Sequence, residues 1–335
     1  FLRRAATYLF TDRNGWPRFS GARGLMKYEK NPGVTHIDAV RRIAVGCNWM
    51  AVPGAEYPLN DCVKINVAKI FRLSFDEMME SEAEPSLENL WGRLKEHLVR
   101  AVEVTAKGIC LHLEKQQYVM PELVMNLMME DTLELGQDIS VCARLKTMGV
   151  DGVGLGTVAD SLAALEQRVV LERRVTFAEI YEGLKSDFAG TQGERLRLML
   201  KASERYCGGG TLGDTWAEAV SRMFADTVAA QAMPAGVSLV PGWFSWSSTI
   251  HFGKMVGATP DGRHAGAPVT HGANPNPGFR RDGAVTAMAT GIAKIQTGYG
   301  NACPVQLEFG PGLAVEEGGI ERVEQVLKTH VEEGG

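Results

Sequence analysis

Residues Val256–Pro268 read V-G-A-T-P-D-G-R-H-A-G-A-P. Three glycines and two prolines in this stretch exclude a regular helix or strand through it. Pro260-Asp261-Gly262 predicts a tight turn, because proline presets φ, aspartate bonds nearby backbone and glycine accepts a positive φ. We therefore expect a stiff loop that forms a shaped wall and carries Arg263 and His264.

The charged side chains of this loop each have two interpretations. Arg263 either clamps a substrate carboxylate or braces the loop by bonding its backbone carbonyls. The bracing role is favoured, because the arginine accompanies the turn whatever the substrate is. His264 and His271 are candidate acid–base groups, since imidazole titrates near neutral pH.

Composition bounds the class of protein. The chain has 335 residues, enough for two ordinary domains or one large α/β barrel, and its 45% hydrophobic and 22% charged residues are typical of a globular protein with a buried core. The net charge of −5 argues against nucleic acid or a membrane surface as the main partner. No apolar run approaches the roughly 20 residues of a membrane helix. Six cysteines without a C-x-x-C pair indicate reduced thiols and no metal cluster, so we expect a cytoplasmic protein.

A second informative segment surrounds Cys47. Thr35-His36-Ile37-Asp38 is a capping-box pattern that predicts a helix ending at Gly46. Cys47 is then expected at the start of a loop, with residues 48–61 irregular because they contain Pro53-Gly54 and Pro58. Helical periodicity resumes at Val63.

Further helices are predicted over 86–107, over 121–134 with its methionines in the core, after the capping box at Thr176, and over 320–330. Loops are expected from about 234 to 283, and Val305–Phe309 is strand-like. Gly152-Val153-Gly154-Leu155-Gly156 opens onto a helix, but its third glycine comes one position early for G-x-G-x-x-G and no strongly hydrophobic strand precedes it. A nucleotide-binding protein is therefore only a weak alternative.

Taken together, these motifs resemble the glycyl radical enzymes, the family of pyruvate formate-lyase and of the glycerol and choline lyases. The stretch at 256–268 is similar to the family's T-P-D-G-R-x-A-G-x-P signature, and Gly46-Cys47 is similar to its Gly-Cys loop. The resemblance continues in order along the whole chain, in segments 12–19, 158–164, 272–275 and 282–284.

The resemblance implies a fold and a chemistry. The fold is a ten-stranded α/β barrel built from two parallel half-sheets, of which this chain supplies the second half with flanking helices. Cys47 is the residue that forms a thiyl radical, which then abstracts hydrogen from a small organic substrate. The chain itself binds no cofactor or metal. The parent protein carries a glycyl radical, installed by an iron–sulfur, S-adenosylmethionine-dependent activating enzyme, and we expect a homo-oligomer.

Departures from the family pattern leave the acid–base group open. Lyases of the family commonly read Gly-Cys-x-Glu and pyruvate formate-lyase has two adjacent cysteines, whereas this chain reads Cys47-Asn48-Trp49. Glu56 and Asp61 are candidates for a displaced carboxylate, or else a solvated loop charge and a helix cap. Trp49 and Asn48 are candidate pocket residues, and Trp49 is equally well explained as packing.

The family's R-V-x-G-Y radical-glycine motif is not found before Gly335. We therefore expect residues 1–335 to be one barrel domain, incomplete at both ends, from an enzyme that cleaves a C–C or C–heteroatom bond, as a lyase or acyltransferase. On its own this segment is not expected to be competent. The alternative is a catalytically degenerate, non-enzymatic paralogue of the same fold.

Overall fold

The computed structural model describes residues 1–12, 18–46, 49–277, 285–296 and 298–335. The predicted family segments at 12–19 and 282–284 lie wholly or largely outside the described residues. In chain order, the first elements are α1 (Leu2–Asp12), α2 (Ala22–Met26), a 3₁₀ turn (Lys27–Lys30), α3 (His36–Arg41), β1 (Ile43–Val45), β2 (Trp49–Ala51) and β3 (Glu56–Asn66). Helices α4 (Val67–Glu80), α5 (Leu87–Val119), α6 (Leu123–Asn126), α7 (Thr132–Leu135) and α8 (Ile139–Cys142) follow.

The second half begins with β4 (Leu145–Val153), α9 (Leu155–Leu165) and a π-helical turn (Glu166–Leu171). It continues with α10 (Phe177–Lys185), α11 (Gly190–Lys201), α12 (Leu212–Ala229), β5 (Val237–Trp243) and α13 (Ser248–Lys254). The last elements are α14 (Val285–Lys294), a 3₁₀ turn (Pro311–Ala314) and α15 (Gly319–Glu332). No helix in the described ranges is both long and apolar enough to cross a membrane.

A three-stranded parallel sheet in the order β3-β4-β5 is the centre of the fold. β4 is buried along its whole length, as expected of a central parallel strand. Successive side chains alternate between the two faces of a strand. Met148 and Val150 belong to the hydrophobic core, whereas Thr147 and Asp151 bond to polar groups of other segments on the opposite face. The sheet therefore has one apolar face and one face with polar groups.

Helices α4, α5, α9 and α12 pack together to form the apolar layer. The N-terminus of α5 is capped by Ser86, whose side chain accepts a hydrogen bond from the Asn89 N–H. Its buried positions recur at helical spacing, which is the amphipathic pattern visible in the sequence. They are Leu90, Leu94, Leu98, Val102, Ala106, Ile109 and Leu113. The prediction of this helix is confirmed, although it continues beyond 107.

The predicted helix before Cys47 begins as expected but ends early. Thr35 and Asp38 form the capping box, yet α3 stops at Arg41. Ile43–Val45 then pairs antiparallel with Trp49–Ala51. Gly46, at φ 55°, follows a strand and does not cap the helix. The helical spacing of Ile43 and Ala44 was misleading, because the β-branched residues Ile43 and Val45 also suit a strand.

The expectation of irregular structure over 48–61 is also wrong, because a proline in this range lies inside a strand. Pro53-Gly54 is a turn, but Pro58 lies within β3, and Pro241 likewise lies within β5. These two strands border β4 on one side each, and a proline is tolerated where its missing N–H is not needed by the ladder. Prolines therefore hid both outer strands, and the loop expected from 234 to 283 contains β5 and α13.

The remaining predicted elements are confirmed in part. The capping box at Thr176 and the final helix are confirmed. Two short helices occupy the range 121–134, with Met125 and Met129 against the core but Met128 exposed. Among the described residues no strand forms at 305–309. A buried strand does precede the glycines at 152–156, contrary to expectation, because Lys146, Thr147 and Asp151 masked its burial.

Candidate active site

The carboxyl ends of β3, β4 and β5 meet at one edge of the sheet. The hairpin formed by β1 and β2 packs against this edge. Trp49 of β2 contacts Phe244, which directly follows β5, with ring centroids 4.8 Å apart and the rings edge to face at 68°. Cys47 and Asn48 lie outside the described residues. Their flanking residues Val45 and Trp49 are paired across the hairpin. Ligand sites of α/β sheets lie at this end of the strands, because the loops converge there.

Arg42 holds the base of the hairpin. Its guanidinium donates to the Met50 carbonyl at 2.8 Å and to the Gly300 carbonyl at 3.1 Å, and it stacks 3.8 Å from the centroid of the Tyr28 ring. Arg42 is 6% exposed, so the guanidinium is held in the protein interior. Arg42 thereby ties β2 to a segment more than 250 residues later, and no local sequence pattern identified it.

Aromatic rings and polar groups surround Phe244. Trp246 and His271 have ring centroids 6.0 Å and 6.1 Å from it, and the Lys64 ammonium lies 5.7 Å from its centroid. Lys64 also forms an ion pair with Asp61 on the same strand, next to an irregularity in the β3 register. A cation over an aromatic face is attracted by the ring quadrupole. The hairpin thus faces an apolar surface with one ion pair at its border.

His271 is the histidine that lies in this cluster. Its Nδ1 is 3.0 Å from the Ser245 hydroxyl, which itself accepts from the Gly272 N–H at 3.1 Å. Burial lowers the pKa of His271, which favours a neutral ring at pH 7. In a neutral ring Nδ1 can accept the Ser245 hydroxyl proton, and in that tautomer the ring proton is on Nε2. The candidate acid–base role of His271 is compatible with this position.

A cavity of about 720 Å³ lies beside the cluster. Its wall joins the hairpin, the loop after β5 and the segment after α14, and it includes Met50, Trp246, His271, Asn301 and Cys303. The size is within the range of small-molecule sites, which combine apolar walls with a few polar groups. Trp49, Glu56, Arg263 and His264 do not line it.

Glu56 is not on a loop, as the sequence suggested, but is buried in β3 at 2% exposure. One carboxylate oxygen accepts from the Val52 N–H at 2.7 Å, and the other accepts from the Tyr28 hydroxyl at 2.9 Å. Both oxygens are therefore engaged in holding the turn before β3. Asp61 also belongs to β3 and neither lies in an irregular loop nor caps a helix.

Arg263 braces its own loop. The guanidinium donates to the carbonyls of Val256 at 3.1 Å, His264 at 2.9 Å and Ala267 at 2.7 Å, and it also bonds Gly257 and the Thr259 hydroxyl. These are the contacts expected if Arg263 braces the loop, which is the favoured one of its two interpretations.

His264 faces outward. It is about half exposed, and its Nδ1 lies 3.2 Å from Asp187. This loop is therefore not part of the cluster around Phe244.

The loop is docked on α9 by a polar network that local patterns did not reveal. Asn276 donates from one nitrogen to Asp160 at 2.7 Å and to Asp261 at 3.1 Å. Arg205 donates to Asp160 at 3.0 Å and to the Asp261 carbonyl at 2.7 Å. Burial raises the pKa of Asp160 to about 6. Two of the segments that carry the family resemblance, 158–164 and 256–268, are thus one structural unit.

The described cysteines are free thiols, and burial raises the pKa of Cys207 and Cys303. Among the described residues no cluster of side chains is suited to hold a metal ion.

Comparison with known proteins defines the class. Residues 1–253 match the family described as pyruvate formate lyase-like. The chain therefore belongs to this family, the glycyl radical enzymes, and its fold is part of their α/β barrel.

Individual relatives are similar at low identity. Trans-4-hydroxy-L-proline dehydratase of Clostridioides difficile is 24% identical, over 98% of this chain and 43% of its own length. Isethionate sulfite-lyase of Oleidesulfovibrio alaskensis is 27% identical over 53% of this chain and 21% of its own length. The B12-independent glycerol dehydratase of Clostridium butyricum superposes with a TM-score of 0.89 at 22% identity, covering all of this chain and 44% of that one. The chain thus spans less than half the length of these relatives.

Proposed function

We propose that the protein to which this chain belongs cleaves a C–C or C–heteroatom bond of a small organic substrate through a thiyl radical on Cys47. The observation that carries the proposal is the packing of Trp49, two residues after Cys47 in the sequence, against Phe244 at the carboxyl end of β5. A glycyl radical supplies the unpaired electron when it is present. The thiyl sulfur then takes a hydrogen atom from a substrate carbon, forming S–H and leaving a carbon radical.

The residues of this chain would prepare the site for that step. Trp49, Phe244 and Trp246 form an aromatic surface beside the hairpin, and an apolar surrounding protects a radical from side reactions. Asp61 and His271 are the acid–base candidates of this proposal, because His271 packs against Phe244 and Asp61 pairs with Lys64, which lies over the same ring. Trp49 occupies the position at which many relatives have glutamate, so an acid–base group must come from elsewhere on the sheet.

The cavity beside the hairpin is the proposed substrate site. Its volume admits a small molecule, and His271 offers a polar group among apolar walls. Dehydratases and sulfite-lyases are among the relatives, and we extend only the reaction class, radical bond cleavage, to this protein.

Partners of the whole protein are also proposals. We expect a separate activating enzyme, with an iron–sulfur cluster and S-adenosylmethionine, to install the glycyl radical. One barrel domain over 1–335, a homo-oligomer and a cytoplasmic location also remain predictions.

Electron spin resonance on the full-length protein tests the proposal. After anaerobic activation we expect a glycine-centred doublet, and Cys47→Ala should keep the doublet but abolish turnover. Cys110→Ala, a half-buried thiol on α5 far from β2 in sequence, is the matched control and should retain turnover. Absence of the doublet would favour the degenerate paralogue, and full turnover by Cys47→Ala would reject the proposed role of this cysteine.

A further inference from the structure

Asp151 and Asn301 meet on the polar face of the sheet in an arrangement that an ionised aspartate does not explain. Asp151 lies in the central strand with no solvent exposure. One carboxyl oxygen, Oδ1, accepts a hydrogen bond from Asn301 Nδ2 at 3.2 Å. The other oxygen, Oδ2, is buried without a partner, and so is Asn301 Oδ1.

The two unpartnered atoms are both acceptors if Asp151 is charged. A carboxylate has no proton to donate, and an amide oxygen only accepts. Buried polar atoms are rarely left without partners. A proton on Asp151 Oδ2 converts one of the two acceptors into a donor. The acid and the amide can then exchange two hydrogen bonds in a ring.

Among the described residues, the cation that acts on Asp151 is Lys64, whose charge lowers the pKa of Asp151. Lys64 stands opposite it on β3, but the Lys64 ammonium is paired with Asp61 and lies over the Phe244 ring. Gly242 stands opposite on β5, where any side chain would collide with Asp151 Oδ1. Among the described residues, Cys62 and Cys303 are two further titratable groups near Asp151, and a charge on Asp151 would raise the pKa of both thiols. Burial and then the charge of Asp61 raise the pKa of Asp151 well above its usual range.

We propose that Asp151 is a neutral carboxylic acid that holds the Asn301 side chain through two hydrogen bonds and is a positioning residue for the cavity wall. Asn301 lines the cavity, and its Nδ2 also donates to the Val240 carbonyl at 3.1 Å. The adjacent Ala302 carbonyl accepts from the Trp243 N–H at 3.0 Å. The pair therefore attaches the segment at 301–303 to the strand ends, directly behind the proposed substrate site.

Infrared spectroscopy of the full-length protein tests the protonation directly and needs no radical. The carbonyl stretch of a protonated carboxyl is separate from that of a carboxylate, and isotope labelling of aspartate assigns it. We expect such a band at neutral pH that disappears in Asp151→Asn. Absence of a band that this substitution removes would overturn the proposal.

Turnover tests the positioning role, and this part rests on the proposed function. Asp151→Asn preserves both hydrogen bonds as an amide–amide pair, whereas Asp151→Leu leaves the Asn301 Oδ1 unpaired and its Nδ2 with only the bond to the Val240 carbonyl. We expect Asp151→Leu to raise KM at least tenfold with an unchanged glycyl radical signal, and Asp151→Asn to recover most of that loss. An unchanged KM in a folded Asp151→Leu protein overturns the positioning role. If the infrared band is present but no variant or wild type turns over, the proposed function fails and the neutral acid stands.

Should Asp151→Leu fail to fold, Asn301→Ala provides the second variant. It removes the amide and leaves Asp151 with an empty space that water can enter. We expect Asn301→Ala to shift the carboxyl band and to raise KM. A band and a KM identical to those of the wild type would contradict the pairing.

Discussion

Trp49 of β2 packs edge-on against Phe244 at the end of β5, with ring centroids 4.8 Å apart. This contact joins residues separated by almost two hundred positions, and it holds β2, and with it the paired strand β1, against the end of the sheet. The Trp49 ring also lies under Gly46, where an added Cβ would approach it to 3.1 Å. The residue that replaces the family's usual glutamate is therefore part of the support for the hairpin.

Removing the Trp49 ring should loosen the hairpin more than it unfolds the protein. For Trp49→Ala we expect a loss of about 2 kcal/mol in the free energy of unfolding, below the cost of a fully buried aromatic because the ring is half exposed. We expect turnover to fall by roughly tenfold or more, since misplacement of a reacting group is costly. Trp49→Phe, which keeps an edge-on ring, should lose much less. Equal losses in both variants would show that packing against Phe244 is not the relevant property.

Arg263 should prove a structural residue. Arg263→Ala leaves several buried carbonyls unpaired, so we expect a loss of about 3 kcal/mol in unfolding free energy. Arg263→Lys should recover little, because an ammonium does not reproduce the fork of the guanidinium. Denaturant titration measures both variants, and the exposed neighbour His264→Ala should remain within about 0.5 kcal/mol of wild type. A stable Arg263→Ala protein that had lost only substrate affinity would instead support the carboxylate clamp.

Stability should depend on pH through Asp160. Its pKa is raised to about 6 in the folded protein by burial, so the folded state binds more protons than the unfolded state between about pH 4 and 6. The contribution to stability is complete below the unfolded pKa and is lost as the pH rises through about 6, with a magnitude of about 3 kcal/mol. Denaturation at a series of pH values should show this decline.

Asp160→Asn should remove that part of the slope, whatever it does to the absolute stability. Asp131→Asn, at an exposed position in the left-handed region that asparagine tolerates, is the control and should leave the slope unchanged. An undiminished slope in Asp160→Asn would assign the proton to another group.

His271 should remain neutral to a lower pH than a free histidine. Its folded pKa is depressed by burial, so the unfolded state binds the proton more readily. The stability that His271 contributes is present above the unfolded pKa of about 6.5 and is lost as the pH falls through the folded value. Nitrogen-15 NMR of labelled histidine should show a neutral ring at pH 6.5 with the proton on Nε2. A ring that is mostly protonated at that pH would contradict the bond from Ser245 to Nδ1.

Helices were the part of the fold that local sequence predicted well. Capping boxes at Thr35 and Thr176 and the apolar stripe of α5 are confirmed, because the groups involved are three or four residues apart. Strands were predicted poorly. Pro58 and Pro241 lie in outer strands, and the central strand contains Asp151 within its buried run, so neither alternation nor hydrophobicity marked them.

The candidate site divides in the same way. Gly46-Cys47 and the loop at 256–268 were noticed from their own residues, since a short motif carries its signature within itself, but the loop lies outside the cluster around Phe244 and the role of Cys47 stays a prediction. Phe244, Asn301 and Arg42 were not, because each acts through a partner far away in the chain.

The sequence by itself determined the family, the capped helix starts at Thr35 and Thr176, the apolar stripe of α5 and the stiff turn that Arg263 braces, since these depend on near neighbours and on short motifs. Only the tertiary structure decided that Glu56 is a buried support, that His264 faces outward, and that Asp151 lies behind the cavity wall. The physical reason is that burial, pairing and protonation depend on which strands and loops converge at the carboxyl ends of the parallel sheet. That convergence is a property of the assembled chain.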